Sequence, residues 1–209
     1  MSLPLTDRTI LITRSRSQAP VFRDLLEKAG AKVLELPTIE IRPRPSRDLD
    51  AAIKKLAQYH WIIFTSVHGV EIFMKRFRVL RPLLASKTNF TPKIATIGPA
   101  TADCVRKFGY CVSLTPKVYQ AEGLLKAFLG FNNGRIKNLQ ILLPRASQAR
   151  EILPEKLRKN GSHVDVIHVY DTEIPLQKPA FLEKFFRKNP PDLIAFTSSS
   201  TVRNFLTMA

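Results

Sequence analysis

Apolar and polar positions alternate along this chain in two rhythms that take turns. Residues 9–13, TILIT, form a short β-branched apolar run. Residues 18–30, QAPVFRDLLEKAG, then space their apolar side chains three and four apart and stop at Gly30, and residues 31–37, AKVLELP, return to a strand rhythm ending at Pro37. A strand period followed by a helix period and a second strand period predicts a β-α-β unit. The plan recurs in residues 139–172, LQILLPRASQAREILPEKLRKNGSHVDVIHVYDT, with a strand through Leu143, a helix ending at Gly161 and a strand from about Val164 to Tyr170. Two more apolar runs, HWIIFTSVHGV at 60–70 and DLIAFTSSSTV at 192–202, each end in FTS just ahead of a helix-like stretch. KIATIGPATADCVRKFGYCV, at 93–112, adds a strand ending at Ile97, a Gly-Pro turn, a helix and Gly109.

These segments superpose in order. Arg14 falls on Arg145 and Gly30 on Gly161 at the same separation, 131 residues, and SQA at 17–19 meets SQA at 147–149 at 130. Phe64 falls on Phe196, Val70 on Val202 and Phe73 on Phe205, all at 132. Landmarks that keep one order and nearly one register argue for an internal duplication. The same register puts a partner for Gly98 near position 230, past Ala209, so the second copy is expected to lack a last strand and helix, whether by truncation or by divergence. The Pro- and Arg-rich stretch TIEIRPRPSRD at 38–48 and its counterpart DTEIPLQKP at 171–179 read as connectors. The expected architecture is α/β: two similar domains with parallel sheets flanked by helices. The first is discontinuous, built from 1–37 plus 173–209; the second spans 43–170, with linkers at 38–42 and 171–175.

Composition narrows the class. At 209 residues and 44% hydrophobic content the chain can bury a real core. Its start has no uninterrupted apolar h-region, and no apolar run approaches the roughly 18 to 20 residues of a membrane span, so a soluble, cytoplasmic protein with no membrane partner is expected. Cys104 and Cys111 stand without a second pair or a histidine cluster, which reads as two reduced thiols and no metal site. The charge is more telling. Thirty-three Lys and Arg against 17 Asp and Glu leave +16, which calls for an acidic partner: nucleic acid, an anionic surface or a small polyanion.

Candidate chemistry sits at the turns. In open α/β sheets ligands gather outside the carboxyl ends of the strands. The turn at Thr65 and Ser66 makes Ser66 a helix N-cap, with the amides of Val67 and His68 at the positive end of the helix, suited to a carboxylate or phosphate. Thr197, Ser198, Ser199 and Ser200 offer the same in the second copy, and Gly98, Pro99, Ala100 and Thr101 a third time, with Pro99 fit for a first helical turn. Each could equally be a cap and nothing more; their recurrence is what points to a shared ligand, in a cleft if the domains oppose their carboxyl edges. Arg14 and Arg145 follow strands directly, where each could meet a carboxylate or pair within the protein. Tyr170 ends a strand at a connector, as a cleft-facing phenol or a buried strand residue. Neither a GxxxxGK[ST] nor a GxGxxG motif is present.

ILITRSRSQ, WIIFTSVHGV, IATIGPATADCVRKFGY, AEGLL, ILLPRASQAREILPEKLRKNG, VYDT and IAFTSSSTV together resemble the uroporphyrinogen-III synthase family, in family order and over essentially the whole chain. The resemblance implies two α/β domains joined by a two-stranded linker. It also implies closure of the linear tetrapyrrole hydroxymethylbilane with inversion of its terminal ring and loss of water, with no metal or cofactor. The implied partner is that polycarboxylate, which opens a transfer from hydroxymethylbilane synthase and fits the positive charge. By the same resemblance Tyr170 matches the tyrosine of a VYxT pattern and would assist hydroxyl departure, while Ser66, Thr101 and Ser198 would bind acetate and propionate arms. The family often has Asn where this chain has His68, and its second IGxxTA segment would lie beyond Ala209.

A rival class is a basic α/β nucleic-acid binder. Lys75, Arg76, Arg78 and Arg81 cluster with Phe73 and Phe77 interleaved. Against it, the charge is spread along the chain, no RNP, KH or helix-turn-helix signature appears, and aromatics four apart suit a helix core. An inactive synthase homologue is a third class that the residues do not separate from an enzyme.

Overall fold

The computed structural model describes residues 3–16, 18–45, 47–83, 92–176, 179–188 and 190–208. Ser17 of the first SQA landmark, Ser46 and residues 177–178 of the connectors, and residues 1–2 and 209 of the first domain lie outside them. The elements run β1 (Thr9–Ile12), α1 (Ala19–Lys28), β2 (Lys32–Glu35), β3 (Glu40–Pro43), α2 (Arg47–Lys54), β4 (Trp61–Phe64), α3 (Val67–Leu80), β5 (Lys93–Thr96) and α4 (Pro99–Lys107). They continue with α5 (Ala121–Phe131), β6 (Gln140–Ala146), α6 (Ile152–Lys159), β7 (His163–Glu173), α7 (Pro179–Lys188), β8 (Leu193–Ala195) and α8 (Ser199–Met208). The chain forms two compact units, residues 1–42 with 172–209, and residues 43–171. Each is a parallel sheet flanked by helices.

In unit 1 the order is β2-β1-β8, with β1 parallel to both neighbours. Alternate residues of β1 supply its two faces: Ile10 and Ile12 pack with Ala19, Phe22 and Leu26 of α1, and Leu11 packs with Leu36, Leu182 and Phe205 on the other side. In the larger sheet the order is β3-β7-β6-β4-β5, and β7, β6, β4 and β5 are mutually parallel. Trp61, Ile63, Ile141 and Leu143 face α5 and α6 through Leu124, Phe128, Leu153 and Leu157. On the other face Phe64 meets Phe73 of α3, with ring centroids 5.5 Å apart. Each such fully buried side chain is worth about 1.5–3 kcal/mol of transfer free energy.

The duplication seen in the residues is a duplication of topology. Under the repeat register β2, β1 and β8 correspond to β7, β6 and β4, and the two orders match strand for strand. Gly30 and Gly161 both close their helices with positive φ, 96° and 87°, a conformation that glycine alone adopts without strain. β4 also has β5 on its far side, whereas β8 pairs with β1 and with no second strand among the described residues.

Several expected boundaries shift. The first connector holds a strand, as a two-stranded linker requires: Glu40–Pro43 lies beside β7. β7 runs past Tyr170 to Glu173, and Arg44 binds Asp171 at 2.9 Å while Arg42 binds Glu173 at 3.0 Å. β6 continues past Leu143 through Pro144 to Ala146. Its register with β4 ends at Leu142, while that with β7 continues to the end of the strand, so Pro144 lies where only one edge is still paired. Phe73 and Phe77 are 0% and 1% exposed and stack inside the core, and Arg76 is held bidentately by Asp50 at 2.6 and 2.5 Å. The aromatic half of the nucleic-acid argument therefore has no surface to act from. No helix among the described residues is long and apolar enough to cross a membrane.

Candidate functional site

Because β4, β5, β6 and β7 are parallel, the turns that follow them emerge along one edge of the larger sheet. Ser66 leaves β4 in extended conformation and caps α3, its Oγ accepting from the Gly69 amide at 3.0 Å. The first intrahelical bond, from Val70 N to Ser66 O, comes after Val67 and His68, so those two amides head the positive end of a 14-residue helix.

Tyr170 reaches the same point from β7. Its hydroxyl donates to Ser66 Oγ at 2.9 Å, and its ring meets the edge of His68, centroids 5.9 Å apart at 76°. Burial raises the Tyr170 pKa, against the Ser66 hydrogen bond and the Arg145 charge, which pull it down. The phenol is thus a buried proton donor, with a cation close enough to stabilise the phenolate if the proton leaves. Burial lowers the His68 pKa, and Glu71, whose carboxylate lies 3.6 Å from Nδ1, offsets only part of that. The imidazole beside Tyr170 is neutral at neutral pH.

Arg145 is placed differently from a solvent-facing receptor. It is 2% exposed, donates to the carbonyls of Ala149 and Ala146, and pairs with Glu151 at 2.9 Å. Its guanidinium folds the loop after β6 back onto itself and leaves its charge under Tyr170. Gly98 is the N-cap of α4 without a side-chain bond, Pro99 opens the helix, and Thr101 is buried in its first turn. Thr65 is half-buried and lines a cavity of about 250 Å3 at this edge.

Unit 1 repeats part of this. Ser198 Oγ accepts from the Thr201 amide at 3.3 Å, the counterpart of Ser66 with Gly69, and shares a 2.8 Å hydrogen bond with Ser200 Oγ. Thr197, Ser198 and Ser199 are exposed, and Ser200 is half-buried. Arg14 Nη2 donates to Gln18 at 3.3 Å and Nε is buried without a partner. In place of the phenol, Thr38 reaches the helix start, its hydroxyl on Thr13 O at 3.1 Å and near Thr201 O at 3.4 Å.

Sequence reasoning missed the rest of the cavity wall: Tyr119, Gln120 and Arg150, over a floor of Ile97, Leu143 and Leu153. One signal was present. The glycine of AEGLL, Gly123, lies so close to the preceding loop that a Cβ there would stand 2.2 Å from Val118 O. That glycine lets residues 118–120 fold over the start of α5. Ser147 and Asp171, hydrogen-bonded to each other, also escaped notice and tie the β6 loop to the end of β7. No cluster of three or more metal-ligating side chains occurs among the described residues.

Two parallel α/β units related by duplication, with a buried tyrosine and a capped helix start at the carboxyl edge of one, define the class: a two-domain α/β protein with its helix starts gathered at the strand ends. A sequence profile described as uroporphyrinogen-III synthase HemD matches residues 20–209, and the chain belongs to that family. The uroporphyrinogen-III synthase of Synechococcus elongatus is 33% identical over 204 residues, covering 97% of this chain and 75% of the relative. The putative uroporphyrinogen-III synthase of Methanothermobacter thermautotrophicus is 31% identical over 200 residues, 95% and 76%. Among solved structures, a mutant uroporphyrinogen III synthase from the extreme thermophile Thermus thermophilus superposes with a TM-score of 0.63 at 17% identity, over 97% of this chain and 77% of that one. The Helicobacter pylori synthetase gives 0.58 at 18%, over 97% and 78%. Membership places the chain among the lyase-type proteins of porphyrin biosynthesis.

Proposed function

We propose that this chain closes hydroxymethylbilane to uroporphyrinogen III with inversion of the terminal ring and loss of water. The observation that carries the proposal is the Tyr170 hydroxyl, 2.9 Å from Ser66 Oγ at the head of α3. In this reading the C–O bond of the hydroxymethyl arm breaks with its electron pair on oxygen. Tyr170 supplies a proton and water leaves. The azafulvene cation left behind is attacked by the substituted carbon of the terminal ring, giving a spiro intermediate that rearranges into the inverted macrocycle. The proton released when the ring system recovers aromaticity balances the one given, and the phenolate is reprotonated. Arg145, buried and fixed by its loop, offsets the transient negative charge on Tyr170.

The greater part of the task is positioning, because an unguided bilane closes without inversion. The substrate carries eight carboxylates, and the proposal assigns their arms to helix starts and cations. In the larger unit these are Ser66, Val67 and His68 at α3 and Gly98, Pro99 and Thr101 at α4; in unit 1 they are Arg14 and the turn of Thr197, Ser198, Ser199 and Ser200. Membership in the family and a net charge of +16 support this reading. The test generates hydroxymethylbilane in place, adds the chain, oxidises the products and separates type I from type III uroporphyrin by chromatography. Type III above the spontaneous background is expected; type I alone, from a folded chain, removes the proposal.

A further inference from the structure

The cavity beside Thr65 has a chemistry of its own. Its volume of about 250 Å3 is below the roughly 300–1,000 Å3 of pockets that enclose a drug-sized ligand, so it suits a single ring and not four. The floor is apolar, Ile97, Leu143 and Leu153, while Tyr119 and Arg150 stand at the mouth, 59% and 72% exposed. Arg150 is paired with Glu122 at 3.7 Å, both ends half in solvent or more, a contact that an incoming carboxylate can replace. A planar guanidinium beside an aromatic ring and over an apolar floor both stacks on a flat conjugated ring and binds a carboxylate in a two-point fork. The walls are built from below: the buried Arg145 fixes the carbonyl of Ala149 and the carboxylate of Glu151 on either side of Arg150, and Gly123 lets the loop carrying Tyr119 close down.

We propose that this cavity is a ring subsite for one pyrrole of a linear tetrapyrrole, with Arg150 holding a carboxylate arm of that ring. The inference rests on the proposed activity for its choice of ligand. Arg150 is here a specificity-determining residue, acting on a carboxylate arm and not on the departing hydroxyl, and the sequence reading did not single it out. The probe is porphobilinogen, a monopyrrole with one acetate and one propionate, titrated into the full chain while amide resonances are followed by NMR. Shifts at the amides of Gln120, Ala121, Glu122 and Arg150 are expected, with apparent affinity at least tenfold weaker in Arg150→Glu and partly kept in Arg150→Lys. Arg150 is exposed, so neither variant threatens folding. Unmoved amides at those positions, or an Arg150→Glu titration like the wild type, would overturn the subsite. The isomer assay runs in parallel: amide shifts without type III product would leave the subsite standing and remove the cyclisation reading, whereas type III product without the shifts would do the reverse.

Discussion

β4 and β8 hold equivalent places in two sheets of the same order, carry the same FTS ending and lead into helices capped by the same serine geometry. Their fates differ. All four residues of β4 are buried, while Leu193 and Ile194 of β8 are 54% and 37% exposed. The residue types are alike; β5 and the helices on both faces make the difference. Burial in an open sheet belongs to the neighbours a strand finds, and only then to the strand. The sites differ in the same spirit. Both helix starts have their cap, but the return strand brings a phenol to one and a threonine hydroxyl to the other, so the capped helix start is duplicated and the buried phenol is not.

That contrast can be broken at graded cost. Ile63→Ala in β4 deletes a fully buried side chain and should destabilise by about 2–5 kcal/mol, read by denaturant unfolding through Trp61, the only tryptophan. Ile194→Ala in β8 should cost under about 1 kcal/mol, the lower end for large-to-small changes at partly exposed positions, read by amide hydrogen exchange in unit 1. Equal losses would mean that the two strands are shielded alike. At the caps, Ser66→Ala and Ser198→Ala should each cost about 1 kcal/mol. Only the first also frees the Tyr170 hydroxyl, so only the first should change the pH dependence of turnover.

The smallest effect separates the two helix starts by pH. Burial holds the folded pKa of His68 below 6.5, so between that value and 6.5 the unfolded chain takes up the proton more readily. Stability is therefore fully present above 6.5 and declines as pH falls through the window. His68→Asn should abolish that decline, seen as a wild-type-to-variant difference in unfolding midpoint that changes between pH 7.5 and 5.5; a constant difference would show that folding leaves the His68 pKa unmoved.

Much of this was legible in the residues. The alternation of rhythms carried the parallel sheets, and the paired landmarks carried the duplication, because strand-to-helix turns and helix-closing glycines are local and keep their spacing. The connector strand β3 was legible only through the family resemblance and its two-stranded linker, since Pro43 and Pro45 read as breakers while pairing with β7 decides its conformation. Arg145 was found by position yet its burial was not, because that depends on Ala149 and Glu151 folding back over it. Tyr119 carried no repeat and no motif, and Arg150 sat beside the SQA landmark with nothing to single it out; they line one cavity only through the tertiary packing of α5 against α6, and Gly123 was its one local trace.

The most direct test compares the two return strands in one assay. Tyr170→Phe removes the phenol but keeps the ring, and Thr38→Val removes its counterpart in unit 1; each is scored by the rate of type III formation from hydroxymethylbilane generated in place. General acid help is worth about 10²–10⁴-fold, and a hydroxyl that departs this readily belongs at the lower end. The expected result is a roughly hundredfold fall for Tyr170→Phe and near wild-type turnover for Thr38→Val. Comparable rates for Tyr170→Phe and the wild type, or equal losses in the two variants, would contradict the assignment of the chemistry to the larger unit.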